Sequence, residues 1–249
     1  MANDFQNILH NERKQLMNLL RSTRFTQLSK DFIHQQIIPF ASYSPWENDD
    51  DFQSVYDIIL DHTLVDKYRC YELWSMCGQV ATLPGDMIEV GVWKGGTAAL
   101  IAKAAECNKE TTVYLCDTFE GVVKAGEHDT NYKGGEHSDT SKQTVVGLLE
   151  KINARNTTIL QGIFPDDFAA EMDTKSFKFC HIDVDTYSSA LGVFDFVWPR
   201  LVVGGAVAFD DYGIWGCEGV TKMFNELDVP NGFKIYNLNG HGIIIKTAA

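Results

Sequence analysis

The sequence lacks long apolar runs and any recognisable targeting segment. None of its apolar stretches approaches the roughly 20 residues that a helix needs to cross a bilayer. Its first residues carry neither the basic nor the apolar region of a signal peptide. The six cysteines include no Cys-x-x-Cys pair, which argues against a zinc site and against a disulfide framework. These absences predict a cytoplasmic protein with reduced thiols and no membrane partner.

Basic residues are scarce as well. The chain has 21 Lys and Arg against 34 Asp and Glu, which gives a formal net charge of −13. Proteins that bind phosphate backbones need clustered cations, so we expect no nucleic-acid partner. The chain has 249 residues, of which 45% are hydrophobic. That is enough for one large α/β domain with a helical addition.

The hydrophobic pattern changes near residue 84. Before this point, apolar residues recur at helical spacing and predict helices over 11–30, 52–60 and 67–80. After it, short apolar segments alternate with helices, among them 187–198, which is typical of a parallel sheet covered on both faces. We expect strands at 87–90, 112–116, 157–160, 177–182, 206–209, 233–236 and 242–246. The pattern therefore divides the chain into a helical cap, residues 1–84, and a core, residues 85–249.

A glycine turn follows the first predicted strand. Residues 89–97 read Glu-Val-Gly-Val-Trp-Lys-Gly-Gly-Thr and precede an alanine-rich helix. Glycines let a ligand approach the backbone, but their spacing differs from that of the dinucleotide motif. A carboxylate at the strand tip, Glu89, suits a ligand that carries an amine and no phosphate, as S-adenosylmethionine does. Asp117 ends the next strand, where an acid can accept hydrogen bonds from ribose hydroxyls.

A long polar segment breaks the alternation of strands and helices. Residues 120–141 contain four glycines among Lys, His, Asp and Ser. Since loops of this length are usually functional or disordered, and this one follows Asp117, we interpret residues 120–140 as a mobile lid over the ligand. His128 and His137 lie in it, either as bases or as solvated side chains.

Acidic residues end two later strands. Asp183 and Asp185 follow one, and Asp210 and Asp211 follow the next. The carboxyl ends of parallel strands share one edge of the sheet, so Asp183, Asp210 and Asp211 are expected to converge. Three such carboxylates repel one another unless a cation lies between them, and Mg²⁺ fits oxygen ligands. The alternative for a single Asp, such as Asp185, is a helix N-cap. His181, inside a strand, is predicted to be a hydrogen-bonded core residue.

Taken together, these motifs resemble the macrocin O-methyltransferase family, whose members methylate sugars of macrolide and aminocoumarin antibiotics. The resemblance covers roughly residues 40–245 and is far more specific than any glycine motif. It is carried by residues 44–47, 89–97, 117–121, 134–140, 162–166, 181–187 and 210–212.

The resemblance implies an α/β class I methyltransferase fold, that is, a Rossmann-like, seven-stranded, mostly parallel sheet with an N-terminal helical cap. It implies S-adenosylmethionine as methyl donor and Mg²⁺ at Asp183, Asp210 and Asp211, with Asp183 also the candidate catalytic base. Residues 162–164 would line the adenine. The candidate cofactor-binding residues are Glu89, Gly91, Trp93, Gly95, Thr97, Asp117, Gly162, Ile163, Phe164 and Asp183.

The expected acceptor is a glycosylated small molecule, with its specificity in the first 40 residues and the lid. One alternative is a methyltransferase for a small non-sugar or catechol-like hydroxyl, although a catechol enzyme would be expected to have lysine where this chain has Thr186. An NAD-dependent oxidoreductase is disfavoured by the glycine spacing. A non-catalytic binding module would have no need of three strand-end carboxylates. The sequence leaves the oligomeric state open, a homo-oligomer included.

Overall fold

The computed structural model describes residues 8, 10–16, 44–235, 237 and 240–249. The chain divides into two compact units, residues 1–45 and 46–249. In the first unit residues 10–16 are helical, and the rest of the predicted helix 11–30 lies outside the described residues. Residues 46–84, which the sequence assigns to a helical cap, belong to the unit that holds the sheet.

Seven strands form one sheet in the order β3-β2-β1-β4-β5-β7-β6. Only β7 runs antiparallel to its neighbours, so the predicted seven-stranded, mostly parallel sheet is confirmed. The strand predicted over 206–209 begins five residues earlier, at Leu201. The sequence missed this part because Gly204 and Gly205 interrupt its apolar pattern. The strands are β1 Asp86–Val90, β2 Val113–Asp117, β3 Thr157–Gln161, β4 Phe177–Ile182, β5 Leu201–Phe209, β6 Gly232–Ile235 and β7 Gly242–Lys246.

The helices flank this sheet. They are α1 Asp50–Ile59, α2 Lys67–Val80, α3 Gly96–Ala105, α4 Lys142–Lys151, α5 Ala169–Met172, α6 Tyr187–Val197 and α7 Glu218–Glu226. Helix α2 has the predicted bounds. Asp49 and Asp66 cap α1 and α2 by accepting hydrogen bonds from backbone amides of the first turn. Helix α6 ends one residue earlier than predicted, and a 3₁₀ turn containing Pro199 follows it.

Two hydrophobic cores cover the two faces of the sheet. Successive strand residues alternate between them: Met87 packs with α1 to α4, and Ile88 packs with α6 and α7. This alternation is the period of two that a strand imposes on its side chains. The arrangement leaves the carboxyl ends of β1 to β5 at one edge. Among the described residues, no helix is long and apolar enough to span a membrane.

The loop between β2 and α4, predicted as a lid over residues 120–140, contains neither helix nor strand. Asp129 holds it: its Oδ1 accepts a hydrogen bond of 2.9 Å from the Tyr187 amide at the start of α6, and its Oδ2 accepts one from the Gly126 amide. Thr186 and Ser189 also donate to the Val123 carbonyl. Asp129 is itself buried. The loop is thus tied to α6 by polar contacts, and its mobility remains a prediction.

Asp129→Ala should lower the free energy of unfolding by about 1–2 kcal/mol, because α6 loses the side chain that caps it. Trypsin should then cut faster at Lys124 and Lys133, which limited proteolysis measures. Glu127→Ala is the matched control, since it removes an exposed acid from the same loop. Equal cleavage of the two variants would contradict an anchoring role for Asp129.

Candidate active site

A cavity of about 290 Å³ opens at the carboxyl edge of the sheet. The segments that follow β1 to β5 all contribute to its wall. Every candidate cofactor or metal residue from the sequence lines it except Glu89 and Gly95. The predicted cofactor and metal positions therefore surround one space. They are Gly91, Trp93, Thr97, Asp117, Gly162, Ile163, Phe164, Asp183, Asp210 and Asp211.

The glycine turn is required by close packing of the chain on itself. Gly91 has a φ of +90°, and a Cβ there would lie 1.6 Å from the carbonyl oxygen of Asp183. A Cβ on Gly96 would lie 2.7 Å from the His62 carbonyl oxygen, so this glycine lets the segment after α1 approach the turn. Gly95 precedes α3 and packs on Val145. These contacts set the shape of the cavity before any ligand enters.

Asp117 organises the same turn. Its Oδ2 accepts hydrogen bonds from the amides of Val92 (2.6 Å) and Trp93 (2.8 Å), and its Oδ1 accepts one from Phe119 (2.6 Å). A carboxylate offers about four acceptor sites. The side chain can thus fix the backbone of the turn and still face the cavity.

The sequence predicted Glu89 at the tip of β1, but Glu89 does not lie there. Strand β1 continues to Val90, and Glu89 is fully buried beside its register partner His181 on β4. Its Oε1 lies 2.8 Å from His181 Nδ1. Burial raises the pKa of Glu89. Glu89 therefore lies behind the cavity wall.

The three predicted metal ligands do meet. Carboxylate oxygens of Asp183, Asp210 and Asp211 lie within 4.8 Å of one another. Burial and the neighbouring carboxylates raise the pKa values of Asp183 and Asp211 well above the ordinary aspartate range. The ionised forms of Asp183 and Asp211 are therefore not fully stabilised by the surrounding positive charge.

Asp210 differs from the other two. The expectation that the cluster would have no partner other than a metal ion was wrong, because Arg69 of α2 forms an ion pair with Asp210 Oδ2. His241 Nε2 lies 3.1 Å from Asp210 Oδ1. Burial opposes ionisation, but His181, His241 and Arg69 outweigh it and hold the pKa of Asp210 below its usual range.

His181 is only partly satisfied, contrary to the sequence-based expectation. Its Nδ1 contacts Glu89, but its Nε2 lacks a hydrogen-bond partner among the described residues. That nitrogen lies 3.7 Å from Asp210 Oδ1, which is too long for a hydrogen bond. Burial opposes protonation, yet the two flanking carboxylates raise the pKa of His181 to about 10.

Asp185 is not a helix cap. Thr186 occupies the N-cap position of α6, and the lid residue Asp129 caps the first amide. Asp185 has a φ of +61° and lines the cavity, and its amide donates to Asp211 Oδ2 at 3.2 Å. Asp185 is thus a fourth carboxylate beside Asp183, Asp210 and Asp211, and we call these four side chains the acidic floor of the cavity. Burial raises the pKa of Asp185 too.

The two lid histidines have different surroundings. His137 lines the cavity, and its ring packs near those of Trp93 and Tyr132. His128 instead packs on Tyr187 and does not line the cavity. Of these two candidate bases, only His137 is placed to face a ligand.

Two exposed apolar side chains line the cavity. Leu64 lies between α1 and α2 and is 69% exposed, and Trp215 lies between β5 and α7 and is 63% exposed. Next to them Val65, Ile214 and Cys217 line the wall. The cavity thus combines an acidic floor with an apolar mouth.

Sequence reasoning missed Leu64, Arg69, Glu72, Trp215 and His241. Their chemistry is ordinary for a helix, a loop or a strand start, and no spacing connects them with the strand ends. Helical spacing would have put Arg69 and Glu72 on one face of α2, three residues apart. Nothing in the sequence indicates that this face lies against β5.

Comparison with known proteins places the chain in a family. The sequence profile of macrocin O-methyltransferases matches residues 10–232. A tetracenomycin rhamnosyl 4′-O-methyltransferase of Streptomyces olivaceus is 28% identical over 192 residues, 67% of this chain and 72% of that protein. Mycinamicin III 3″-O-methyltransferase of Micromonospora griseorubida is 29% identical over 189 residues, 66% of this chain and 70% of that protein.

A solved structure agrees on the fold. The O-methyltransferase NovP superposes with a TM-score of 0.66 at 23% identity, over 75% of this chain and 83% of NovP. The resemblance carried by the sequence motifs is confirmed by the profile match and by both relatives. The chain therefore belongs to the macrocin O-methyltransferase family of sugar and natural-product O-methyltransferases.

Proposed function

We propose that the protein transfers a methyl group from S-adenosylmethionine to a sugar hydroxyl of a glycosylated natural product, with the help of Mg²⁺. The observation that carries the proposal is the cavity of the candidate active site, in which the glycine turn, the acidic floor and the apolar mouth line one space. A donor on the turn side and an acceptor on the mouth side would meet at the carboxylates.

The turn side suits a nucleoside with no phosphate. Asp117 faces it with a carboxylate that can accept hydrogen bonds from ribose hydroxyls, and residues 162–164 supply a backbone and aromatic wall for the adenine. Arg69 is the single Lys or Arg that lines the cavity within the described chain, and it is paired with Asp210. A diphosphate of NAD would therefore find few cations here.

The acidic floor fits a small, hard cation. Asp183, Asp210 and Asp211 would hold Mg²⁺, which prefers carboxylate oxygens. The raised pKa values of Asp183 and Asp211 reflect buried negative charge that a divalent ion would offset. When bound, the ion would lower the pKa of a hydroxyl beside it.

Proton removal is assigned to Asp183. In the transfer, the acceptor oxygen forms a bond to the methyl carbon while the sulfur–carbon bond breaks, and the hydroxyl proton passes to a base. Asp183 lines the cavity within the carboxylate cluster, where an acceptor hydroxyl beside the ion would lie within its reach. His137, which lines the cavity, is the second candidate. Alignment of oxygen, carbon and sulfur by the cavity supplies much of the catalysis.

The apolar mouth beside the acidic floor favours an acceptor that has one polar end and one apolar end. A sugar can place neighbouring hydroxyls on the acidic floor, and an apolar aglycone can pack on Leu64 and Trp215. A catechol or another small hydroxyl compound would leave this mouth unused. A free nucleotide sugar would bring a diphosphate to a chain whose formal net charge is −13.

S-adenosylhomocysteine should bind, and Asp117→Ala should weaken that binding by about 1.5–3 kcal/mol for each lost ribose hydrogen bond to the carboxylate. The variant should also be less stable, because Asp117 holds three amides of the turn. Calorimetry and thermal melts measure the two effects, with Asp195→Ala on α6 as control. Binding of NADH in place of S-adenosylhomocysteine would refute the assignment of the donor.

Methylation should stop in EDTA and return with Mg²⁺. Asp211→Asn should raise the Mg²⁺ concentration needed for activity, while the control Asp195→Asn, which changes an exposed acid on α6, should not. Full turnover in chelator would exclude the metal from the reaction.

Metal affinity should also depend on pH in one direction. The raised pKa values of Asp183 and Asp211 mean that protons compete with the ion, so affinity should rise with pH through the range in which these carboxyl groups lose their protons. Titrations at constant ionic strength measure this. A pH-independent affinity would mean that both carboxylates are already ionised in the metal-free protein.

Trp215→Ala should raise KM for a glycosylated acceptor about three- to tenfold through lost aromatic packing, while kcat and S-adenosylhomocysteine affinity stay unchanged. Phe233→Ala removes another exposed aromatic, on β6, and serves as control. The assay is a screen of glycosylated macrolides and aminocoumarins with labelled donor. Turnover confined to catechols or nucleotide sugars would overturn the acceptor assignment.

A further inference from the structure

One fixed cation lies inside the acidic floor. The guanidinium of Arg69 forms an ion pair with Asp210, and the Arg69 side chain is only 11% exposed. A guanidinium stays protonated at any pH that the folded protein meets. The floor therefore carries one permanent positive charge before a metal ion binds.

Helix α2 holds this guanidinium in place. Arg69 Nε donates to Asp66 Oδ2 at 2.9 Å, while Asp66 Oδ1 caps the helix through the amides of Tyr68 and Arg69. Arg69 also donates to the backbone carbonyl of Asp210 at 3.3 Å. With contacts on both sides, the guanidinium is positioned by the protein and does not depend on the carboxylate alone.

The same helix reaches Asp210 a second time. Glu72, one turn after Arg69, accepts from His241 at 2.6 Å, and His241 Nε2 lies 3.1 Å from Asp210 Oδ1. Both oxygens of Asp210 thus have a partner that α2 holds directly or through His241. Among the described residues, no Lys or Arg forms an ion pair with Asp183 or Asp211.

We propose that Arg69 is a resident counter-ion of the carboxylate cluster, which keeps the metal-free site assembled and limits how tightly the cluster binds a divalent ion. The inference rests on the proposed function, since it takes Asp183, Asp210 and Asp211 as the metal ligands. A fixed positive charge repels an incoming cation and offsets the attraction of Asp210. Arg69 acts through Asp210 and is a positioning residue.

Removal of Arg69 should lower the stability of the metal-free protein but raise its affinity for a divalent ion. Without Arg69 the metal-free protein buries the same carboxylates with one positive charge fewer, so it should melt at a lower temperature. The cluster is then one unit more negative, so it should bind a divalent ion more tightly. If Arg69 only oriented Asp210 as a metal ligand, its removal would instead weaken metal binding. Metal affinity therefore separates the two roles.

The test compares wild type with Arg69→Met, Arg69→Gln and Arg200→Met, using Mn²⁺ as a spectroscopic probe for the site. Arg200→Met removes the same charge near the opposite end of β5, where Arg200 pairs with Asp173. Free Mn²⁺ is measured by electron paramagnetic resonance, and melting is followed in chelator and in Mn²⁺. Arg69→Met and Arg69→Gln should bind Mn²⁺ about tenfold more tightly. Both should melt earlier than wild type in chelator and regain that loss in Mn²⁺, and Arg200→Met should keep the wild-type affinity.

Each other outcome has a separate meaning. Wild type that binds Mn²⁺, together with folded Arg69 variants that bind it equally or less tightly, would overturn the counter-ion role and leave the proposed function intact. Wild type that binds no Mn²⁺ would overturn both. If Arg69→Met does not fold, Arg69→Gln, which keeps a hydrogen-bond donor for Asp210, decides the question by the same comparison.

Discussion

The structure depends on concentrating negative charge at one buried edge of the sheet. Asp183, Asp185, Asp210 and Asp211 meet where β4 and β5 end, and Glu89 lies just behind them. Buried carboxylates that are close together either take up protons or acquire positive partners. Here Asp210 has such partners, while the pKa values of the other aspartates are raised. The positive charges of the site therefore lie beside Asp210, and not beside the other aspartates, before any ligand binds.

This division assigns a different task to each part of the chain. The strands bring the carboxylates together, helix α2 supplies a fixed cation, and the glycine turn and the apolar mouth line the rest of the same cavity. The family relationship establishes methyl transfer, and the arrangement of charge is what our proposal uses to place donor, metal and acceptor in the cavity. The helical segment before the sheet is therefore part of the site and not merely a cover.

The sequence predicted the sheet well because strand alternation and strand-end residues are local signals. It located β4 and β7 to the residue and brought Asp183, Asp210 and Asp211 to one edge. It failed where tertiary contacts decide. Glu89 is withdrawn by its pairing with His181, and the partnership of Arg69 with Asp210 joins residues 141 positions apart. No periodicity encodes such a contact.

Asp129 has a consequence for changing the acceptor of this enzyme. It lies in the loop after β2, caps the helix after β4, and approaches the helix after β5 so closely that a Cβ on Gly219 would lie 2.0 Å from its Oδ1. The loop after β2 and the first turns of α6 and α7 thus meet at one carboxylate. A loop transplanted from a relative to change specificity would have to bring an aspartate at this position and meet a glycine at 219, or the three segments would have to be exchanged together.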